Sequence, residues 1–201
     1  GWKLTGSAAI DQLNYTYPAN SNRLQQVYDT ANNSSSKLGD FKYDGYSKTA
    51  SDYSYDTLGN LTEDKNKLIS SIAYNYLNLP ELVRYNPDAA EYGGAHGSIV
   101  YTYDAAGRKL KKTVTDTTSH NYTRTVVTLY IAGFVYESRS EIYGGNPVAG
   151  SYTDSLLFTG HEEGRARKKG NGFEYDYFIR DYLGNVRMVL TEEQKQDYYP
   201  A

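Results

Sequence analysis

The chain has 201 residues, 21 basic against 24 acidic, a formal net charge of −3 and no cysteine. That length suffices for one large domain or two small ones with a core. The missing cysteines exclude disulfide scaffolds, thiolate metal sites and cysteine nucleophiles, and the balanced charge gives no global drive towards nucleic acid.

Leu, Ile, Val and Phe together supply only 38 residues, whereas tyrosine alone supplies 23 and glycine 18. Tyrosine joins a large apolar ring to a hydroxyl and favours pleated, half-buried surfaces. With Asn, Asp, Ser and Thr as punctuation, this composition predicts an all-β protein. It excludes a coiled coil, a collagen and a membrane-spanning helix, because no apolar run approaches about 18 residues.

From the N-terminal end, Tyr15-Thr16-Tyr17 leads into Asn22-Arg23-Leu24, the first degenerate copy of a repeat. A Ser- and Asn-rich insertion follows at 32–39. The cleanest copy is Tyr53-Ser54-Tyr55-Asp56-Thr57-Leu58-Gly59-Asn60-Leu61. Tyr74-Asn75-Tyr76 leads to Leu79-Pro80, and an insertion is expected at 86–97. A second good copy is Tyr101-Thr102-Tyr103-Asp104-Ala105-Ala106-Gly107-Arg108-Lys109-Leu110. Further loops are expected at 116–121 and 143–150, and a last tyrosine pair stands at Tyr175 and Tyr177. Helical periodicity is nearly absent; only 191–199, opening on Thr191-Glu192-Glu193-Gln194, has capping chemistry for a short helix.

Each unit has a physical reading. Tyr-x-Tyr places two rings on one face of a strand, since side chains alternate with period two. In the following Asp-x-x-Gly, the Asp carboxylate bonds backbone ahead of it and glycine supplies φ > 0 for a hairpin turn. Gly59, Gly107 and Gly184 are therefore expected at positive φ. Tyr55, Tyr76, Tyr103 and Tyr177 are expected at equivalent positions on one sheet face. A lone hairpin cannot bury a face, so successive hairpins must stack.

The repeat Tyr-Asp-x-x-Gly-Asn-Leu resembles the YD repeat of the rearrangement hotspot (RHS) proteins. The stretch Glu162-Glu163-Gly164-Arg165-Ala166-Arg167, then Phe173-Glu174-Tyr175-Asp176-Tyr177, then Asp181-Tyr182-Leu183-Gly184-Asn185-Val186-Arg187, is similar to the start of the RHS repeat-associated core in its Bacteroidetes-type form. The resemblance covers the whole chain, with degenerate repeats over 1–155 and the core-like region over 156–201, continuous with the same sheet. It implies antiparallel β-hairpin repeats in a curled, spiral sheet, part of a shell that encloses a C-terminal, toxin-like segment of a large bacterial protein. That protein would be extracellular or on the cell surface; the aspartate-based self-cleavage motif that ends the family's core is absent from these residues, so no catalytic residue is carried over from the family. The expected partners are the remainder of the same polypeptide and its cargo. The alternative is a cell-surface adhesion module binding glycan or protein. Neither membrane insertion nor nucleic-acid binding is expected.

Candidates for chemistry are few. His96, His120 and His161 are scattered, no Gly-x-Ser-x-Gly elbow is present, and neither a cofactor nor a metal is expected. Glu162/Glu163 and Asp176/Asp181 are the nearest approach to a glycosidase pair, but adjacent carboxylates on a strand point to opposite faces. No enzyme activity is expected. The basic clusters Arg108-Lys109-Leu110-Lys111-Lys112 and Arg165-Ala166-Arg167-Lys168-Lys169 read as edge protection or, less simply, as a site for an anionic partner.

Overall fold

A computed structural model of the chain describes residues 11–31, 41, 51–85, 96–119 and 121–192. The chain divides into two compact units, Gly1–Ile99 and Val100–Ala201, and both are built from antiparallel strands. An all-β fold made of hairpins is thus what the sequence forms. The insertion expected at 32–39 lies outside the described residues, as does that expected at 86–97 up to residue 95, Gly97 being the first residue of a strand. The helix expected over 191–199 does not begin at Thr191, which ends a strand, while Glu192 N–H donates to the Tyr175 carbonyl (3.0 Å), and the rest of it lies outside the described residues. A repeat/core boundary at 155/156 falls inside a single strand, Tyr152–His161.

In the first unit, β1 (Leu13–Thr16) and β2 (Gln26–Asp29) form a two-stranded sheet. β3 (Tyr53–Tyr55), β4 (Leu61–Asp64), β5 (Ile69–Tyr74) and β6 (Pro80–Tyr85) pair in chain order as a meander. Asp52 ties the two together: its N–H donates to the Gln25 carbonyl (2.8 Å) and its Oδ2 accepts from Val27 N–H (3.0 Å). A single 3-10 turn at Lys65–Lys67 joins β4 to β5, with the Asp64 carboxylate accepting from Lys67 N–H (3.1 Å) and Leu68 closing it at φ 56°. Its signal, an Asp three residues before Lys67, is too short to stand out in sequence.

The second unit takes β7 (Gly97–Tyr103), whose first three residues precede the unit boundary, β8 (Lys109–Ser119), β9 (Tyr122–Ile131) and β10 (Phe134–Tyr143). It continues through β11 (Asn146–Pro147), β12 (Tyr152–His161), β13 (Gly164–Lys169), β14 (Gly172–Arg180) and β15 (Val186–Thr191). The spatial order is β7-β8-β9-β10-β12-β13-β14-β15, with β11 folded back on β10. Of the loop expected over 116–121, residues 116–119 are instead strand and Asn121 is in the turn: β8 runs to Ser119, with Thr115 opposite Thr125 and Asp116 opposite Arg124. Its polar look misleads because β-branched threonines suit a strand with partly exposed faces. The 143–150 loop is likewise mostly a hairpin tip, in which Gly144 (φ 56°) and Gly145 (φ 81°) both take the left-handed conformation a two-residue turn demands.

The burial pattern is inverted for a globular protein. Among the described residues the buried apolar side chains are Val27, Val135 and Ala166, while the buried polar ones are Asp29, Asp52, Asp64, Thr128, Glu141 and Asp176. Along β14 the alternation Phe173-Glu174-Tyr175-Asp176-Tyr177 sends rings to one face and carboxylates to the other. The ring face stays open to solvent, with Phe173, Tyr175, Tyr177 and Ile179 at 38–48% exposure. Every residue of β15 is exposed.

Candidate functional site

The recurring chemistry sits in the turns. In the β3–β4 turn, Asp56 N–H donates to the Asn60 carbonyl (2.9 Å), and Gly59 N–H donates to the Asp56 carbonyl (3.1 Å). The Asp56 carboxylate accepts from Asn60 N–H (2.8 Å) and from the Asn60 carboxamide (2.9 Å). Asp104 repeats the pattern between β7 and β8, accepting Ala106 N–H (2.9 Å), Arg108 N–H (2.8 Å) and Arg108 Nε (2.8 Å). Asp181 repeats it between β14 and β15, accepting Leu183 N–H (3.0 Å), Asn185 N–H (2.8 Å), Asn185 Nδ2 (3.0 Å) and Arg187 Nε (2.9 Å). The motif Asp181, Leu183, Gly184, Asn185, Arg187 is therefore one hydrogen-bonded unit, and each of its residues has a task in closing the turn.

Gly59, Gly107 and Gly184 stand at φ 92°, 81° and 84°, as the motif requires. Replacing Gly184 with valine is expected to cost on the order of 1–3 kcal/mol, since a β-branched residue is strained at that φ. A melting curve superimposable on that of the unaltered chain would contradict the turn assignment. The carboxamides and amides around each turn aspartate hold its carboxyl below the usual carboxylate range. At Asp56 and Asp181 the main cause is the Asn side chain; at Asp104 it is Arg108 N–H.

A fourth copy departs from the expected alignment. Asn75 takes the aspartate's place, its Oδ1 accepting Leu77 N–H (2.9 Å) and Leu79 N–H (3.1 Å), and Asn78 takes the glycine's place at φ 57°. Asparagine satisfies both positions because it bonds its own backbone and tolerates the left-handed region. Tyr76 consequently lies in the turn and is 83% exposed, so Tyr74 and Tyr76 do not share a strand face. The equivalent tyrosines are Tyr55, Tyr74 and Tyr103, each immediately before its turn; Tyr177 lies mid-strand in β14, where Arg180 holds that place. The expected set of Tyr55, Tyr76, Tyr103 and Tyr177 is corrected accordingly. Two of the equivalents latch backward: the Tyr55 hydroxyl donates to the Leu24 carbonyl (2.9 Å) and the Tyr74 hydroxyl to the Leu61 carbonyl (2.7 Å). Each thus ties one hairpin to the leucine that follows the preceding turn.

The paired strand tyrosines do meet elsewhere, tilted in one pair and stacked in the other. Tyr101 and Tyr103 have ring centroids 6.2 Å apart, and Tyr175 and Tyr177 6.4 Å, with His161 edge-on to the latter pair. Tyr53 turns its hydroxyl to accept from Asn66 Nδ2 (3.0 Å).

Neither basic cluster is edge protection, because β8 and β13 are interior strands. Lys109 Nζ lies over the Tyr101 ring at 4.5 Å from its centroid. In β13, register places Arg165 opposite Asp176 and Arg167 opposite Glu174. Asp176, 2% exposed, accepts Arg165 Nε (2.7 Å), Arg167 Nε (2.8 Å) and Arg167 Nη2 (3.0 Å). These bonds, that from Arg167 above all, hold its carboxyl far below the usual aspartate range. A like arrangement pairs Glu141 with Arg139 and Arg124 across β9 and β10. Asp176 and Asp181 are thus committed to guanidinium groups and a turn.

Gly164 was legible only as part of a motif. It faces Tyr177 across the β13–β14 ladder, and a Cβ there would stand 1.8 Å from the Asp176 carbonyl oxygen. Glu163 beside it donates its N–H to His161 Nδ1 (3.3 Å) and offers its carbonyl to Phe178 N–H (2.7 Å).

The turn tips also carry apolar side chains that the turn itself does not need: Leu58 (73% exposed), Tyr76, Tyr182 (94%) and Leu183 (70%). No described protein family, curated protein or solved structure matches the chain.

Proposed function

We propose that this chain is a structural segment of a large secreted or cell-surface RHS-type polypeptide, one stretch of a β-hairpin wall that encloses a C-terminal, toxin-like segment. The observation that carries the reading is the turn built three times on Asp56, Asp104 and Asp181 with the same bonds and the same left-handed glycine. Such a turn fixes hairpin geometry and does no chemistry of its own. Buried charge supports the same reading. Ion pairs replace aliphatic packing inside the sheet, which suits strands whose faces are not covered by a second layer. The exposed tips Leu58, Tyr76, Tyr182 and Leu183 and the open ring face of β14 are the surfaces through which the remainder of the polypeptide would pack.

Adhesion is the other reading, favoured by the stacked Tyr175 and Tyr177 rings, since aromatic rows also stack on sugars. A glycan array probed with the purified chain separates the two. A wall segment binds no glycan tightly; saturable binding of one glycan class, lost in Tyr175→Ala, would transfer the assignment to adhesion.

A further inference from the structure

β15 ends the strand order of the second unit, and among the described residues no strand pairs with its outer side. We propose that a second copy of this chain pairs there, β15 against β15 and antiparallel, in a dimer whose two-fold axis passes by Val189. The proposal stands on β15 and its neighbour β14 and does not depend on the wall reading.

The ladder fixes which groups face outward. Phe178 N–H donates to the Glu163 carbonyl (2.7 Å), on the β13 side of β14, whereas Glu192 N–H donates to the Tyr175 carbonyl (3.0 Å) on the β15 side. Val189 stands opposite Phe178, so that pair is not hydrogen-bonded, and the Val189 N–H and C=O point away from β14. The register shift of this ladder is confined to the turn end, between Ile179 and Arg180. Edge strands are commonly guarded by lysine or proline, and β15, Val186-Arg187-Met188-Val189-Leu190-Thr191, has neither. Arg187 is its one charge, and it is tied back to Asp181 (Nη2 to Oδ2, 2.9 Å).

The strand also matches itself. Antiparallel pairing centred on Val189 sets Val189 opposite Val189, Met188 opposite Leu190 and Arg187 opposite Thr191. Apolar residues then meet apolar ones, and the two arginines stand apart. Centring on Met188 would set Arg187 against Val189, and centring on Leu190 would set Met188 against Glu192. Met188 and Leu190 share a face with their register partners Ile179 and Tyr177, and all four are exposed in the single chain. In the dimer two such patches join across the axis. An unrelated extended peptide would have to supply this spacing by chance, whereas a second copy supplies it by symmetry.

The test is sedimentation equilibrium of the full chain up to about 1 mM, because a pairing of one short strand gives a weak dimer. A reversible monomer–dimer equilibrium is expected. Val189→Pro removes an N–H that faces outward, which an edge strand tolerates, and should weaken the dimer about tenfold or more with the far-ultraviolet circular dichroism unchanged. Val189→Lys and Val189→Glu put like charges opposite each other at the axis, so each alone should weaken the dimer about tenfold or more, and an equimolar mixture of the two should restore it. That charge exchange keeps the test open if the proline variant does not fold. A chain that stays monomeric over the whole range, dimers that Val189→Lys leaves intact, or a mixture that associates no better than either variant alone would overturn the assignment.

Discussion

Gly164→Ala is expected to unfold the β12–β15 end of the second unit at markedly lower denaturant than the unaltered chain. The added Cβ would sit 1.8 Å from the Asp176 carbonyl oxygen and 2.9 Å from its carbonyl carbon. Backbone cannot rotate aside as a long side chain can, so β13 and β14 must part. The cost should reach about 3 kcal/mol, at the upper end for overpacking a close contact. It should exceed that of Gly170→Ala, because Gly170 has open space around it and meets only the penalty of its φ of 55°. The check is a pair of urea unfolding curves. Midpoints for Gly164→Ala and Gly170→Ala that coincide would contradict the close approach.

Asp176→Ala is the second large effect. It leaves Arg165 and Arg167 on adjacent places of one strand face without the carboxylate that both of them bond. Removing one partner of a buried pair costs more than the pair contributes, here about 3 kcal/mol after allowing for arginines that are 37% and 28% exposed. The same group sets an acid dependence. Its folded pKa lies far below the usual value of about 3.9, so its stabilisation is fully present above that value. Stability is lost as pH falls from about 4 through the lower folded value. Between pH 5 and pH 2 the unaltered chain should therefore lose more stability than Asp176→Asn does. Parallel slopes for the two proteins would show that Asp176 is not held by the arginines. The turn aspartates Asp56, Asp104 and Asp181, also held low, shift stability in the same direction.

What the sequence made legible was chiefly local chemistry. Asp56, Asp104 and Asp181 bond the residues two to four places ahead, so their turns can be read without knowing the fold, and the positive φ at Gly59, Gly107 and Gly184 follows from the same motif. The Asn75 turn escaped because asparagine serves for both aspartate and glycine, which left Tyr76 misplaced on a strand. The partners of Arg165 and Arg167 depend on register between β13 and β14, and lysines that looked like edge residues belong to an interior strand.

The central claim is that these hairpins wall off a further segment of the same polypeptide. Limited proteolysis of the native polypeptide, with fragments followed by mass spectrometry, tests it most directly. Sites beyond Ala201 should stay uncut while the wall is folded and become cleavable together when Gly164→Ala opens β13 and β14. Cleavage of those sites at the same rate in both proteins, or a native polypeptide with nothing beyond Ala201, would contradict it.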